Sequence, residues 1–112
     1  MNMEISFNGR TLDIENIKLA NNLWLKFRGL MFRSKNKAPR LLFNGEFAIH
    51  SYFVFSPFLT LWLDSEDIVV DYKIVRPFKT YINSSKKFSK ILEIPVNNYN
   101  KEIVEFIVER KV

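Results

Sequence analysis

The sequence predicts a mostly β domain: a compact β-sandwich or jelly-roll-like barrel of about seven short strands, with one small helix near residues 21–29. Three observations point there. Short runs rich in β-branched and aromatic residues recur along the chain, separated by clusters of Asn, Gly, Pro and Ser. Two Asn-Gly pairs, Asn8-Gly9 and Asn44-Gly45, mark tight turns. Hydrophobic residues make up 47% of the 112, against 3 Gly and 4 Pro. A chain of this size buries roughly two-thirds of its unfolded surface, and its composition is not that of a disordered segment. No internal repeat or long linker appears, so residues 1–112 are expected to form one domain.

Each element follows from local pattern. Residues 3–7, MEISF, alternate Met3, Ile5 and Phe7 with Glu4 and Ser6, the period of a strand. Asn8-Gly9 supplies the two φ > 0 positions of a type I′ turn, and residues 11–14 return as its partner. Asn21 or Asn22 can cap a short helix with Leu23, Phe27 and Leu30 on one face and Gly29 near its end. Residues 34–40 read as a polar, basic loop. Residues 41–43 form a short strand, and residues 47–55 are dense in strand formers. Pro57 punctuates. Residues 58–63 are apolar on both faces except for Thr60, which predicts a strand covered on both sides. Residues 64–67, DSED, make an acidic turn, residues 68–75 pair back, and Pro77 ends the run. Residues 79–89 are loop, residues 91–94 are a strand, and residues 97–100 are a turn cluster. In the final stretch Val104, Phe106 and Val108 alternate with Glu105, Ile107 and Glu109, which predicts a closing strand, alone or after one helical turn.

Composition narrows the function classes. Cysteine is absent, which removes a disulfide framework and thiolate metal sites. The first residues, MNMEISFNGR, lack the apolar segment of a secretory signal, so a cytoplasmic location is expected. Residues 47–63 are the longest run without a charge, but Pro57 breaks them and His50, Ser51, Ser56 and Thr60 interrupt them. Strands are expected there rather than a membrane span.

The net charge of +5 conceals segregation. Residues 16–45 carry Lys18, Lys26, Arg28, Arg33, Lys35, Lys37 and Arg40 and no acid. Residues 72–92 carry Lys73, Arg76, Lys79, Lys86, Lys87 and Lys90, again with no acid. If these segments meet in space, the surface is electrically polarised.

Several short patterns, taken in order, resemble one family. Arg28-Gly29-Leu30-Met31-Phe32-Arg33 is similar to the hallmark "rGLMfR" of the Domain of Unknown Function 192 family, also called uncharacterised protein family 0127. Leu41-Leu42-Phe43, then Ile49-His50-Ser51-Tyr52-Phe53 with Pro57, resemble its "mlF" strand and the archaeal form "IHsfFmrfP". Trp62-Leu63-Asp64, Val69-Val70, Arg76-Pro77-Phe78 and Ile91-Leu92-Glu93-Ile94-Pro95 continue the series over residues 17–112. Two positions depart from it: Leu59 stands where the family usually has aspartate, and Asn97-Asn98 where it has glycine. The first removes any polar role inherited through that position. The second is mild, because asparagine tolerates φ > 0. The resemblance implies a compact β-sandwich or jelly-roll-like fold and names no activity.

The chemistry-bearing residues are few. His50 is the only histidine, and a lone imidazole without a thiol, a nucleophile elbow or a ligand set points away from an enzyme and from a metal centre. It reads as a hydrogen-bonded strand residue or as the lining of a cleft. Glu93 is an acid between Leu92 and Ile94, either on a solvent face or buried against a base such as Arg28 or Arg76. Gly29 is a helix cap or a point of close ligand approach, and Leu30 and Met31 are core plugs or contacts.

The expected function is a small non-enzymatic binding domain without cofactor. Its cleft would lie near Gly29-Leu30-Met31, His50 and Pro77, holding a small ligand or peptide through Arg28, Gly29, Met31, His50, Arg76, Phe78 and Glu93. The alternative is a basic single-stranded nucleic-acid-binding protein. It would use Arg33, Lys35, Lys37, Arg40, Lys79, Lys86 and Lys87, with aromatic residues interleaved for stacking. No metal site and no membrane partner are expected, and the chain is expected to be a monomer or weak dimer.

Overall fold

The structure is a computed structural model, and it describes residues 1–19, 40–44, 57–76, 84 and 86–108. Among these residues seven strands lie in two sheets. Strands β1 (Met3–Phe7) and β2 (Arg10–Ile14) form an antiparallel hairpin with Phe7 opposite Arg10, leaving a two-residue loop. Asn8 (φ 52) and Gly9 (φ 77) both adopt the left-handed conformation, as the type I′ turn demands.

The second sheet holds β3 (Ile17–Leu19), β4 (Arg40–Asn44), β5 (Phe58–Leu63), β6 (Val69–Val75) and β7 (Lys90–Pro95), in the order β3-β4-β7-β5-β6. Among the described strands of this sheet only the β3–β4 pair is parallel. β3 had no signature in the sequence. Three residues are too few for periodicity, and their partner lies more than twenty residues further along the chain. The acidic turn is as expected, and it is built rather than merely solvated: Asp64 Oδ1 accepts from the backbone N–H of Glu66 (2.9 Å) and Ile68 (3.0 Å). Asp67 sits at φ 63, and its carboxylate pairs with Lys90.

The expected closing strand is instead a helix, α1 (Lys101–Val108), entered through a single 3-10 turn, Asn98–Asn100. Alternation in Val104, Phe106 and Val108 competed with a second pattern: Ile103 and Ile107 lie four apart and bury together. Polar side chains at residues 97–100 decide between them. Asn97 Oδ1 accepts from the Asn100 N–H (2.9 Å), and Asn100 Nδ2 donates to the Pro95 carbonyl (2.8 Å), turning the chain off β7 into the helix. At the far end Arg10 Nη2 donates to the Phe106 carbonyl (3.3 Å), and its guanidinium lies 4.8 Å from that ring. The helix expected at residues 21–29 and the strand expected over residues 47–55 lie outside the described residues.

Both faces of the central strand β5 are buried, as its pattern foretold: all six of its residues are inaccessible. On one face Leu42, Leu59, Leu61, Leu63, Leu92 and Ile94 pack beneath the hairpin's Met3, Ile5 and Ile14 and the helix's Ile103 and Ile107. On the other face lie Leu41, Phe43, Phe58, Trp62, Val75, Phe88 and Ile91, with Trp62 and Phe88 edge to face at 6.4 Å. Among the described residues no helix is long and apolar enough to cross a membrane.

Candidate functional site

Strand alternation places β5 residues Phe58, Thr60 and Trp62 and β7 residues Ile91, Glu93 and Pro95 on the second face. Thr60 stands directly opposite Glu93, and Glu93 in turn stands opposite Leu41 of β4. Cβ atoms of such opposed pairs are about 4.5–5.5 Å apart. Trp62, opposite Ile91, flanks the pair along β5. Three polar groups therefore meet within an otherwise apolar face, on two neighbouring strands inside the sheet.

All three are sealed from solvent. Thr60 and Trp62 are 0% exposed and Glu93 is 3%. Thr60 Oγ1 and Trp62 Nε1 have no hydrogen-bond partner among the described residues. Burial pushes the Glu93 carboxyl up from 4.5 to about 8, since an ionised carboxylate loses its hydration there. At neutral pH Glu93 is a protonated acid, with one O–H donor and a carbonyl-type acceptor side by side. Of the two sequence readings of Glu93, the solvent face is overturned. Among the described residues no ion pair reaches its carboxyl, and Arg76 is exposed just beyond β6.

Buried donors and acceptors without partners are scarce in folded proteins, because each forfeits its hydrogen bonds to water. Two of them, Thr60 Oγ1 and Trp62 Nε1, lie here beside the buried Glu93, which singles out this part of the sheet. The sequence singled out Glu93 and noted Thr60 as the polar exception in its strand. It did not connect them or mark Trp62, because the β5–β7 register joins residues more than thirty positions apart.

Other expected site residues fall elsewhere. Arg40 is 9% exposed: Nε donates to Asn100 Oδ1 (2.6 Å), Nη1 donates to the Glu15 carbonyl, and the guanidinium lies 4.5 Å from the Tyr99 ring. It ties β4 to the turn before α1. Lys86 and Lys87 are exposed in the loop before β7. The Lys86 N–H donates to Ser84 Oγ (3.0 Å), and that hydroxyl donates to Asp71 Oδ2 (2.6 Å), so the loop is anchored to β6. Arg28, Gly29, Met31, Arg33, Lys35, Lys37, His50, Phe78 and Lys79 lie outside the described residues, as does Pro77. Among the described residues no three of His, Asp and Glu converge as metal ligands.

Comparison with known proteins adds a family and a fold. No protein-family model matches the chain. A UPF0127 protein of Thermococcus kodakarensis is 35% identical over 86 residues, which are 71% of this chain and 54% of that protein. The chain thus spans about half the length of the curated relative it matches. Two solved structures share the fold, each with a TM-score of 0.68 over 92% of this chain. One is a protein of Sinorhizobium meliloti 1021 provisionally assigned as a transcription regulator, 20% identical and covered over 84% of its length. The other is a protein of unknown function from Novosphingobium aromaticivorans DSM 12444, 14% identical and covered over 76%. At those identities they speak for the fold alone. The ordered motifs and the archaeal relative agree, and the chain belongs to uncharacterised protein family 0127.

Proposed function

We propose that this chain is a small binding domain whose site is the second face of the five-stranded sheet, centred on Glu93 with Thr60 and Trp62. One observation carries the reading: two buried polar atoms, Thr60 Oγ1 and Trp62 Nε1, lack hydrogen-bond partners among the described residues, and they lie beside the buried carboxyl of Glu93 in register. A ligand that paired with them would recover the hydrogen bonds that folding gave up. The apolar surroundings of Leu41, Phe58 and Ile91 would supply the non-specific part of its affinity.

A thermal-shift screen of the full chain against a panel of small neutral, anionic and cationic metabolites tests this. Ligand at a hundredfold over Kd adds about 2.7 kcal/mol, a shift of roughly ten degrees or more in a domain of this size. The expected result is a stabilising compound whose effect disappears in Glu93→Leu while that variant remains folded. A panel without a single stabilising compound, or one whose hits act equally on Glu93→Leu, overturns the reading. Of the residues the nucleic-acid alternative names, Arg40, Lys86 and Lys87 are described, and Lys86 and Lys87 are the exposed ones. Oligonucleotide binding that weakens steeply with salt would favour it instead.

A further inference from the structure

We propose that the Glu93–Thr60–Trp62 cluster recognises an uncharged amide edge, a carbonyl oxygen beside an N–H, as carboxamides, lactams and several nucleobases present. The inference rests on the binding site proposed above and adds the chemical class of its ligand.

The donor and acceptor inventory decides the class. Trp62 Nε1 can only donate, so the ligand must bring an acceptor. Glu93, as a neutral acid, offers a donor and an acceptor together, and its complement is an acceptor beside a donor. That is an amide edge. The Thr60 hydroxyl, directly opposite Glu93, serves either need.

Charged ligands fit worse. A carboxylate is acceptor-only; it would leave the Glu93 carbonyl oxygen unpaired and bring a second negative charge onto an apolar face. An ammonium or guanidinium is donor-only and would leave the Trp62 N–H unpaired.

Among the described residues the surroundings supply no counter-charge to reverse this. Facing Glu93 from β4 and β5 are Leu41 and Thr60, with Phe43, Phe58 and Trp62 flanking them. Phe88 stands in the segment before β7, and on β7 itself Ile91 and Pro95 share the face. Among the described residues the nearest charged positions on this face are Lys73 and Asp71 of β6, one strand beyond β5. Lys73 is exposed, with Nζ 5.8 Å from the Trp62 ring. Lys90 is occupied with Asp67.

The two tryptophans, Trp24 and Trp62, give two indole N–H signals in a nitrogen-15 spectrum of the full chain, assigned with Trp24→Phe. Acetamide and nicotinamide are titrated at pH 6.5 against acetate, nicotinate and ethylamine. The expected result is displacement of the Trp62 indole signal by the two amides alone. Above pH about 8 the apparent affinity should fall about tenfold per pH unit, as Glu93 ionises. Glu93→Gln keeps a donor beside an acceptor, so it should retain amide binding and lose that pH dependence. Displacement by acetate, nicotinate or ethylamine to the same extent overturns the amide class while leaving a small-ligand site standing. A Trp62 signal unmoved by both amides also overturns it, and the metabolite screen then decides the site separately.

Discussion

Replacing Glu93 by glutamine should abolish a large pH dependence of stability. The carboxyl is 3% exposed and its pKa rises from 4.5 in the unfolded chain to about 8 in the fold. A raised acid pKa means the folded state holds the proton more tightly than the unfolded state does. Its stabilising share is therefore complete below pH 4.5, declines as pH rises, and is exhausted once pH passes the folded value near 8. Each pH unit inside that window costs about 1.4 kcal/mol. Between pH 4.5 and pH 7 the wild type should lose roughly 3 kcal/mol from this one group, and by pH 8 to 9 about 4. Those are large fractions of the roughly 5–15 kcal/mol that holds a domain together. Urea unfolding followed by tryptophan fluorescence, run on wild type and Glu93→Gln at half-unit pH steps, isolates the contribution. Every other titrating group cancels in the difference between the two proteins. The difference should run downhill for the wild type by about 3 kcal/mol over that span. A difference that stays flat within about 0.5 kcal/mol, or that climbs with pH, refutes the buried neutral acid. With it would fall the hydrogen-bonding pattern from which the amide class was deduced.

Three other changes probe the same structure. Thr60→Val removes an unpartnered hydroxyl at nearly constant volume and should stabilise the unliganded protein by about 1 kcal/mol in urea unfolding; a loss of that size would mean the hydroxyl is paired. Arg40→Met should cost about 2–4 kcal/mol, because the Asn100 side chain and the Glu15 carbonyl lose a charged donor; calorimetry at neutral pH reads it, and a near-neutral change would return Arg40 to the surface candidates. Asn97→Ala should cost about 1 kcal/mol and lower the helical circular dichroism signal, since the side chain that starts the turn into α1 is gone.

The hairpin, the central strands and the acidic turn were legible because their signals are local. Asn8-Gly9 carries its turn type in two residues, and the apolar run of β5 announces burial on both faces without reference to any partner. The helix α1 was not legible in the same way. Its apolar residues satisfy a period of two and a period near four together, and the choice fell to Asn97, Asn100 and the space beneath Ile103 and Ile107. Arg40 shows the reverse failure. Charge along the chain grouped it with a basic surface, while the fold turned it inward to Asn100 and Tyr99.

By itself, then, the sequence determined a mostly β domain, its family and most of its described strands, because side-chain alternation and turn chemistry are properties of neighbouring residues. The site was decided only by tertiary structure. Glu93 in isolation could have faced water or the interior. Its burial, its proton and its meeting with Thr60 and Trp62 follow from an antiparallel register between strands far apart in the chain. Register sets which side chains face each other across a sheet, and desolvation sets what those side chains become.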